Sequence, residues 1–375
     1  MVFVRGALPG ELVVVDVRRA KRDVAHAIAV EVLEPSPARI VPPCPYRRAG
    51  CGGCGWMHLR PEAQRRARLG IVEESLRRIA RMDPAAVGSI VRPGPGAGET
   101  GYRTTVRVVG DAARRPAFRA EGSAELVPVG GCVVAHPRLS AVLHDLEVAP
   151  GVEVTLRCSA TTGETAATWR PLDRELVRGL PADVSVGDDA VVTEQVRGSA
   201  LRVSMGSFFQ SGRRAAELLV DAVERAAVDV ADPVHAVDAY GGVGLFAATA
   251  LRRAGRVTVL ESSRRACADA RQNLRERIAT LVRTDVGRWR AVPGSDIGLV
   301  VADPARAGLG RPGVEAVASA APAPLVLVSC DPVSLARDAV LLGQHGYRPD
   351  SVEVLDLFAQ TPHVETVTRF TAVVT

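Results

Sequence analysis

The sequence predicts an α/β protein whose C-terminal half forms a parallel sheet with helices on both faces. From about residue 213 onward, helical and strand patterns alternate strictly, and this alternation is typical of such a sheet. The last two strand patterns, SVEVLDLF and VETVTRFTAV, are separated by only a short loop, which predicts an antiparallel pair at the end of the sheet. The residues before 196 carry short strand patterns, so we expect mostly β units to precede the sheet.

The N-terminal half divides into segments with different patterns. Residues 1–35 alternate apolar and polar positions around a Pro9-Gly10 turn, which predicts small β strands and a fragment of a barrel. A cysteine-rich loop at 41–58 comes next, followed by PEAQRRARLGIVEESLRRIA, whose apolar residues recur at helical spacing. The Gly/Pro-rich run RPGPGAGETGYR ends that pattern and leads into short strands. We therefore expect three units, at 1–38, 39–195 and 196–375.

Composition and charge narrow the class of protein. Hydrophobic residues make up 47% of the 375 positions, but no apolar run reaches the ~18 residues of a membrane span, and the N-terminus lacks a signal-peptide pattern. We expect a cytoplasmic protein, in which the seven cysteines are not paired as disulfides. Basic residues exceed acidic ones by 47 to 42, and the net charge of +5 permits binding to nucleic acid without requiring it.

A ligand site is predicted where the first strand of the parallel sheet ends. The strand HAVDAY runs directly into Gly241-Gly242-Val243-Gly244 and then into a helix, so the backbone can approach a ligand closely. Glu261 ends the next strand, where a carboxylate can accept hydrogen bonds from the hydroxyls of a ribose. This pattern also satisfies the loose dinucleotide fingerprint, so a nicotinamide enzyme and a plain tight turn are alternatives.

The fourth and fifth strands of this sheet end in residues that hydride transfer does not need. Asp303 follows the fourth strand and Cys330 follows the fifth, so a thiol lies at the ligand-binding edge. A thiolate can add to carbon 6 of a uracil ring and thereby make carbon 5 nucleophilic toward a methyl donor. A base must then remove the hydrogen from carbon 5. Glu365 in the final strand pair is the candidate, although its position taken alone also fits a surface acid.

Four other cysteines suggest a metal site. Cys44, Cys51 and Cys54 lie in one glycine-rich loop, and Cys132 in VGGCVVAHP is a reasonable distant fourth ligand. Soft thiolate ligands suit an iron–sulfur cluster. Zinc fits the same spacing equally well.

A series of motifs along nearly the whole chain resembles the RNA uracil-5 methyltransferases, including their iron–sulfur and TRAM-domain branch. The motifs, in the family's order, are PGE at 9–11, SPARIVPPCPYRRAGCGGC, GYRTTVRV, SMGSFFQ, DAYGGVGLF, VLESS, DPARAGL, VSCDPVSLARD and DLFAQTPHVE. The resemblance implies a Rossmann-like domain for S-adenosylmethionine-dependent methyl transfer at 196–375. It also implies a mostly β central domain with the cysteine site at 39–195 and a partial TRAM-like, OB-like β-barrel at 1–38.

The resemblance implies roles for individual residues. Cys330 would be the nucleophile, and Glu365 would be the base that removes the proton from carbon 5. The residues implied to bind S-adenosylmethionine are Gln210, Tyr240, Glu261 and Asp303, with Asp285 near the adenine. A [4Fe-4S] cluster would be held by Cys44, Cys51, Cys54 and Cys132. The expected partner is RNA, with ribosomal RNA favoured over transfer RNA, and the protein is expected to be a monomer.

The chain departs from the family pattern near these residues. Ala305 and Ala359 stand where proline is usual, and Asp331 stands where asparagine is usual. The negative charge of Asp331 should disfavour the thiolate, whereas Arg306 or Arg337 should favour it. We also expect an incomplete TRAM-like barrel, because the sequence starts at the FVRGALPGE stretch, which further strands normally precede. Two other hypotheses therefore remain open, a non-catalytic iron–sulfur RNA-binding protein and a methyltransferase that acts on a small molecule.

Overall fold

The computed structural model describes residues 1–230, 232–322 and 324–373. The strands of these residues form one eight-stranded sheet, one six-stranded sheet, one three-stranded sheet and two two-stranded ribbons. The mixed α/β class expected from the sequence is confirmed. None of the described helices is long and apolar enough to cross a membrane.

The N-terminal strands form an open sheet. Strand β1 (Val2–Arg5) runs parallel to β3 (Ala25–Glu34), and β2 (Leu12–Ala20) pairs antiparallel with the other side of β3. Three strands are too few to close around a filled interior. Apolar side chains of this sheet such as Phe3 and Val30 are accordingly 52% and 61% exposed. Among the described residues these strands form an open sheet, and the partial TRAM-like barrel expected from the sequence stays a prediction.

Glu11 fixes this sheet to the chain that follows it. Its carboxylate accepts hydrogen bonds from the N–H groups of Leu8 at 2.7 Å and Ser36 at 3.1 Å, and from Arg39 Nε at 2.5 Å. The hydrogen bond from Arg39 is the main cause that lowers the pKa of Glu11 to about 2, although burial opposes this shift. The PGE motif thus forms the junction between the sheet and the cysteine-rich segment.

Three helices and a strand make up the next segment. The cysteine-rich loop contains the short helix α1 (Pro45–Arg48) and a 3-10 turn at Gly52–Cys54, and helix α2 (Pro61–Arg78) follows. Helix α3 (Pro84–Ile90) begins after Asp83, whose carboxylate accepts hydrogen bonds from two backbone N–H groups of the first turn. The Gly/Pro-rich run forms strand β4 (Val91–Gly96), so part of a predicted break is a strand.

A six-stranded sheet confirms the β-rich character expected between residues 96 and 195. This region contains β5 (Thr105–Gly110), β6 (Pro116–Arg119), β7 (Leu126–Pro128), α4 (Pro137–Asp145), β8 (Glu147–Val148), β9 (Glu153–Cys158), β10 (Thr165–Trp169), β11 (Val177–Arg178) and β12 (Val184–Val186). The order in the sheet is β12-β10-β9-β5-β6-β7, while β8 and β11 form a ribbon. Leu143 of α4 shares one apolar core with Leu156 and Trp169 of the sheet.

The rest of the chain builds the eight-stranded sheet. It contains β13 (Val191–Val196), β14 (Ser199–Ser204), α5 (Arg213–Ala226), β15 (His235–Ala239), α6 (Leu245–Ala248), β16 (Arg256–Glu261), α7 (Arg264–Asn273), β17 (Ala279–Arg283), β18 (Ile297–Ala302), α8 (Gly310–Ala318), β19 (Leu325–Ser329), α9 (Pro332–Gly343), β20 (Tyr347–Asp356) and β21 (Glu365–Ala372). Strands β13 and β14 form a hairpin, and the sheet order is β17-β16-β15-β18-β19-β21-β20-β4. The order reverses between β15 and β18, which is where ligands bind in open α/β sheets.

The directions of the strands agree with the sequence except at the edge. Strands β15 to β19 are parallel, and β21 is antiparallel to both of its neighbours. The sequence predicts that the antiparallel pair ends the sheet. This prediction is wrong, because β4 adds a parallel strand outside β20. Gly94 permits this close approach, since a Cβ atom there would lie 2.6 Å from Leu355 Cδ2.

Helices cover both faces of the eight-stranded sheet. One apolar core joins α5, α6 and the β13–β14 hairpin to the sheet and includes Leu219 and Phe246. The other core joins α2, α8 and α9 to the opposite face and includes Val72 and Leu335. Helix α2 also packs against β4 and β20. Residues 61–96 therefore contact the eight-stranded sheet, although the sequence places them in the central unit at 39–195.

Candidate active site

The carboxyl ends of four neighbouring parallel strands meet at one edge of the eight-stranded sheet. Tyr240 follows β15, Glu261 ends β16, Asp303 follows β18 and Cys330 follows β19. The N–H of Asp303 donates to the carbonyl oxygen of Ala239 at 3.1 Å, which joins the ends of β15 and β18 directly. The fold thus brings these predicted site residues together from distant parts of the chain.

A glycine turn follows β15 at this edge. Tyr240, Gly242 and Gly244 have φ angles of 61°, 56° and 88°. Glycine adopts this region easily, whereas it costs a residue such as tyrosine roughly 1–2 kcal/mol. The N–H of Gly242 donates to Glu261 Oε2 at 3.0 Å, and the N–H of Ser263 donates to Glu261 Oε1 at 2.6 Å. The predicted ligand turn and the predicted ribose acid therefore form one hydrogen-bonded structure.

Three acidic side chains are concentrated around this turn. Asp238 is fully buried, and its Oδ2 accepts a hydrogen bond from the N–H of Ala247 at 2.9 Å. Its Oδ1 has no hydrogen-bond partner among the described residues. Burial raises the pKa of Asp238 to about 7, with further contributions from Asp303 and Glu261, and burial also raises the pKa of Asp303 to about 7. A cationic ligand fits this site, because it would compensate the buried negative charge.

The register of β19 and β21 places Cys330 beside Glu365. Ser329 pairs with Thr366, and the Thr366 hydroxyl donates to the carbonyl oxygen of Ser329 at 3.1 Å. Because the strands are antiparallel, the residue after Ser329 and the residue before Thr366 lie at the same end of the pair. Glu365 is only 3% exposed. The alternative interpretation of Glu365 as a surface acid is therefore wrong.

The surroundings of Cys330 keep its thiol protonated near neutral pH in the ligand-free protein. Burial, with smaller contributions from the charges of Glu365 and Asp303, raises the pKa of Cys330 to about 11, while Arg306 opposes the shift. Burial and the charge of Asp303 raise the pKa of Glu365 well above its usual range. A thiol of this kind needs an added positive charge or a base to become a nucleophile. A carboxylate with a raised pKa is a stronger base once it is ionised.

Asp331, which the sequence suggests as an acid that disfavours the thiolate, caps a helix instead. Its carboxylate accepts a hydrogen bond from the N–H of Ser334 at 2.7 Å at the start of α9. The acids that raise the pKa of Cys330 are Glu365 and Asp303. Of the two arginines suggested by the sequence, Arg306 is the one whose charge lowers the pKa of the thiol.

The remaining predicted cofactor residues lie around the same edge. The side-chain nitrogen of Gln210 lies 3.5 Å from Asp303 Oδ2, and Gln210 is buried. Burial, with an added contribution from the charge of Asp285, raises the pKa of Tyr240 to about 12. Asp285 therefore lies near the Tyr240 phenol. Its carboxylate also accepts a hydrogen bond from the N–H of Gly287, in the turn that follows, at 2.9 Å.

The four cysteines of the predicted metal site line one small cavity of about 40 Å³. Burial raises the pKa of Cys54 to about 12, and charge on Cys44, Cys51 or Cys132 acts in the same direction. Closely spaced thiolates are stable only beside a compensating cation or cluster, so the donor set fits such a group. In the described ranges, however, no group of three or more His, Cys, Asp or Glu side chains is arranged to hold a metal ion. Cys44 and Cys54 instead lie in an apolar cluster, against which Cys132 packs.

Aromatic side chains near the site divide between the core and the surface. Tyr102 and Phe209 are buried, whereas Phe208 is 73% exposed. Phe208 lies two residues before Gln210, so an exposed ring is close in sequence to a predicted cofactor residue. Such a ring suits stacking on an unpaired base.

The fold and the edge site define an S-adenosylmethionine-dependent methyltransferase of the mixed α/β class. A tRNA (uracil-54, C5)-methyltransferase from Pyrococcus abyssi, solved in complex with S-adenosyl-L-homocysteine, has the same fold with a TM-score of 0.73. The superposition covers 98% of this chain and 95% of that one, at 23% sequence identity. At this identity the likeness shows the fold alone.

Sequence relatives define the family. A protein from Streptomyces coelicolor described as an uncharacterized RNA methyltransferase is 36% identical, over 98% of this chain and 87% of its own length. A 23S rRNA (uracil(1939)-C(5))-methyltransferase from Aeromonas hydrophila is 27% identical, over 98% of this chain and 91% of its own length. The chain belongs to the RNA uracil-5 methyltransferase family. No family model matches the chain.

Proposed function

We propose that this protein transfers a methyl group from S-adenosylmethionine to carbon 5 of a uridine in RNA. The observation that carries the proposal is the position of Cys330 beside the buried Glu365, at the same sheet edge as the glycine turn. Carbon 5 of uracil is too weak a nucleophile to take a methyl group unaided, so the reaction requires both a nucleophile and a base. The family resemblance gives the same two residues these roles.

The chemistry proceeds through a covalent bond between the Cys330 sulfur and carbon 6 of the uracil ring. The Cys330 sulfur adds to carbon 6 as a thiolate, and the electron pair of the 5,6 double bond moves into an enolate. Carbon 5 then bonds to the methyl group of S-adenosylmethionine, while the bond between that methyl group and the sulfonium sulfur breaks and S-adenosylhomocysteine is left. The Glu365 carboxylate takes the proton from carbon 5, the C–H electron pair re-forms the 5,6 double bond, and the bond between sulfur and carbon 6 breaks. Cys330 leaves as a thiolate and can react again.

The electrostatics of the site favour a reaction that starts only after ligands bind. Without ligands, burial keeps the Cys330 thiol protonated near neutral pH and raises the pKa of Glu365. A sulfonium ion held near Asp303 would offset the negative charge that raises the pKa of the thiol. Arg306 acts in the same direction. We therefore expect the free protein to be weakly reactive toward other electrophiles.

The cofactor would be held by the side chains that surround the glycine turn. Glu261 would accept hydrogen bonds from the ribose hydroxyls, because two backbone N–H groups fix its carboxylate at the strand end. The other proposed contacts are Gln210, Tyr240 and Asp303, with Asp285 near the adenine. The raised pKa values of Asp238 and Asp303 support a ligand with positive charge.

We further propose that the cysteine cavity holds a [4Fe-4S] cluster through Cys44, Cys51, Cys54 and Cys132. Support comes from the convergence of these four thiols on one cavity, although one of them is distant in sequence. Thiolates are the preferred ligands of iron–sulfur clusters. Because methyl transfer requires no electron, the cluster would act on the structure around the cavity rather than on the reaction.

Ribosomal RNA is the proposed substrate. Two relatives, from Aeromonas hydrophila and Methylococcus capsulatus, are 23S rRNA uracil methyltransferases and are 27% and 29% identical to this chain. The net charge of +5 suits contact with phosphate groups. The two proposed catalytic residues and the cofactor residues all come from one chain, so the proposed active form is a monomer.

Nucleoside analysis tests the proposed reaction. The protein is incubated anaerobically with labelled S-adenosylmethionine and undermodified RNA, in separate ribosomal and transfer RNA fractions. We expect labelled 5-methyluridine from the wild type and from a Cys158→Ala control, whose thiol lies in the core of the central sheet, but none from Cys330→Ala. RNA binding without any 5-methyluridine would favour a non-catalytic RNA-binding protein instead.

A further inference from the structure

The loop that leads into Glu365 is held by side chains of helix α2. This β20–β21 loop comprises residues 357–364, and Glu365 is the first residue of β21. Gln64 and Arg68 lie one turn apart on α2 and are 2% and 1% exposed. An arginine this deeply buried needs partners for its charge and for its N–H groups. Most of those partners belong to the β20–β21 loop.

Arg68 donates hydrogen bonds to three backbone carbonyl groups of the loop. Nε donates to the oxygen of His363 at 3.1 Å, and Nη2 donates to the oxygens of Phe358 at 3.1 Å and Thr361 at 2.8 Å. Nη1 lies 3.0 Å from Asp356 Oδ1 at the end of β20, so the charge is paired as well. A lysine could supply the charge but not this planar set of donors.

Gln64 holds the middle of the same loop. Its Nε2 donates to Gln360 Oε1 at 2.9 Å, and its Oε1 accepts a hydrogen bond from the N–H of Gln360 at 2.9 Å. The carbonyl oxygen of Gln360 accepts a hydrogen bond from the N–H of Trp56 at 2.9 Å. Gln360 has a φ of 67°, a left-handed conformation that a residue other than glycine keeps only when its surroundings enforce it. The hydrogen bonds with Gln64 and Trp56, which lie outside the loop, therefore hold Gln360 in this strained conformation.

Tyr102 adds a partner from a different segment. Its hydroxyl donates to the carbonyl oxygen of Ala359 at 3.0 Å. The carbonyl groups of residues 358–361 and 363 thus all accept hydrogen bonds from residues between 56 and 102. A surface loop without such partners would sample many backbone conformations. These contacts determine the path along which the chain enters Glu365.

We propose that Gln64 and Arg68 are positioning residues that fix Glu365 for removal of the carbon 5 proton, by holding the backbone of the β20–β21 loop. The inference rests on the proposed function and concerns only the second half of the reaction. Cys330 follows β19 directly and lies outside this loop, so addition to carbon 6 and methyl transfer should proceed when the loop is loosened. If the proton then stays on carbon 5, the bond between sulfur and carbon 6 cannot break. Methylated RNA would remain attached to the protein.

Trapping of the covalent adduct tests this proposal. Arg68→Met, Arg68→Lys and Gln64→Ala are compared with the wild type and with Glu365→Gln. Each is mixed with RNA and methyl-labelled S-adenosylmethionine, and the protein–RNA adduct and released 5-methyluridine are followed over time. Arg65→Met is the matched control, because Arg65 Nε also pairs with Asp356, at 3.2 Å, while its described hydrogen bonds include none to the loop carbonyls.

We expect Arg68→Met and Gln64→Ala to form labelled adduct at a rate within about threefold of wild type, while product release falls on the order of 100-fold. The adduct should then accumulate as in Glu365→Gln. Arg68→Lys should fall between Arg68→Met and the wild type, and Arg65→Met should match the wild type. Equal losses of adduct formation and product release, or wild-type release from both variants, would overturn the proposal.

Two further outcomes are also decisive. If Arg68→Met does not fold, Gln64→Ala and Arg68→Lys decide the question by the same comparison of adduct with product. If the wild type forms neither adduct nor product, the proposed function itself has failed, and the positioning role falls with it.

Discussion

The reactivity of Cys330 depends on residues from distant parts of the chain. Its position at the end of a strand can be predicted, because VLVSC is a short apolar run that ends at the ligand-binding edge. Its protonation state cannot be predicted, since the acids and the arginine around it, Glu365, Asp303 and Arg306, come from other segments of the chain. Glu365 shows the same limit, because the sequence taken alone also fits a surface acid. Only the pairing of β21 with β19 buries it beside the thiol.

Alkylation of Cys330 by iodoacetamide should be slow near neutral pH and should accelerate as the pH rises. Because the pKa in the folded protein is about 11, the thiolate fraction should rise about tenfold per pH unit until the pH approaches that value. Asp303→Asn removes a negative charge and should speed alkylation at a fixed pH, whereas Arg306→Ala should slow it. Mass spectrometry of the modified peptide measures these rates. A rate that does not change with pH would show that the thiol is already ionised.

Among the secondary-structure elements, the strands with apolar patterns are predictable and β4 is not. Strands β15 to β19 are short apolar runs bounded by turn or helix patterns, so local sequence indicates each of them. Strand β4 has the sequence VRPGPG, which is typical of a loop. It is a strand because it pairs with the edge of β20 and because Gly94 fits against Leu355. That information lies in a contact with a remote segment and not in the local sequence.

The glycine turn after β15 should not accept a side chain at Gly241. A Cβ atom there would lie 2.6 Å from Val259 Cγ1 on the neighbouring strand β16. We expect Gly241→Ala to lower the free energy of unfolding by about 1–3 kcal/mol and to weaken binding of S-adenosylmethionine.

Gly70→Ala on helix α2 is the matched control for this substitution. A Cβ atom at Gly70 would meet no other atom within 4 Å, so this change should stabilise the protein by up to ~1 kcal/mol. Chemical denaturation and titration calorimetry measure the two effects. Equal stability and equal cofactor affinity of the two variants would contradict the crowding inferred at the turn.

Considered as a whole, the molecule joins segments that the sequence separates. The sequence predicts three consecutive units, yet helix α2 and strand β4 pack on the eight-stranded sheet. The cysteine-rich segment also adjoins the β20–β21 loop, because Ala359 of this loop packs in one apolar cluster with Cys44 and Cys54. Two of the proposed cluster ligands therefore adjoin the loop that leads into Glu365, although no described residue of that loop lines the cavity itself. Patterns within single segments cannot predict such contacts.

Metal analysis tests the proposed cluster. Anaerobically purified protein should contain iron and acid-labile sulfide in equal amounts, about four of each per chain. Cys54→Ser should remove most of the iron, whereas Cys158→Ser, at a buried position of the central sheet, should retain it. A content of about one zinc ion per chain, without sulfide, would show that the cysteines form a zinc site and not an iron–sulfur site. The absence of both iron and zinc would contradict a metal site at these cysteines.

The central claim is that Cys330 and Glu365 exchange the hydrogen on carbon 5 of a uridine for a methyl group. The most direct measurement follows that hydrogen. RNA that carries tritium at carbon 5 of its uridines is incubated with S-adenosylmethionine, and the tritium released to water is compared with the methyl groups transferred. We predict about one tritium released for each methyl group transferred by the wild type, and neither event with Cys330→Ala. Methyl transfer without release of tritium would contradict the claim, because the methyl group would then be attached at another atom.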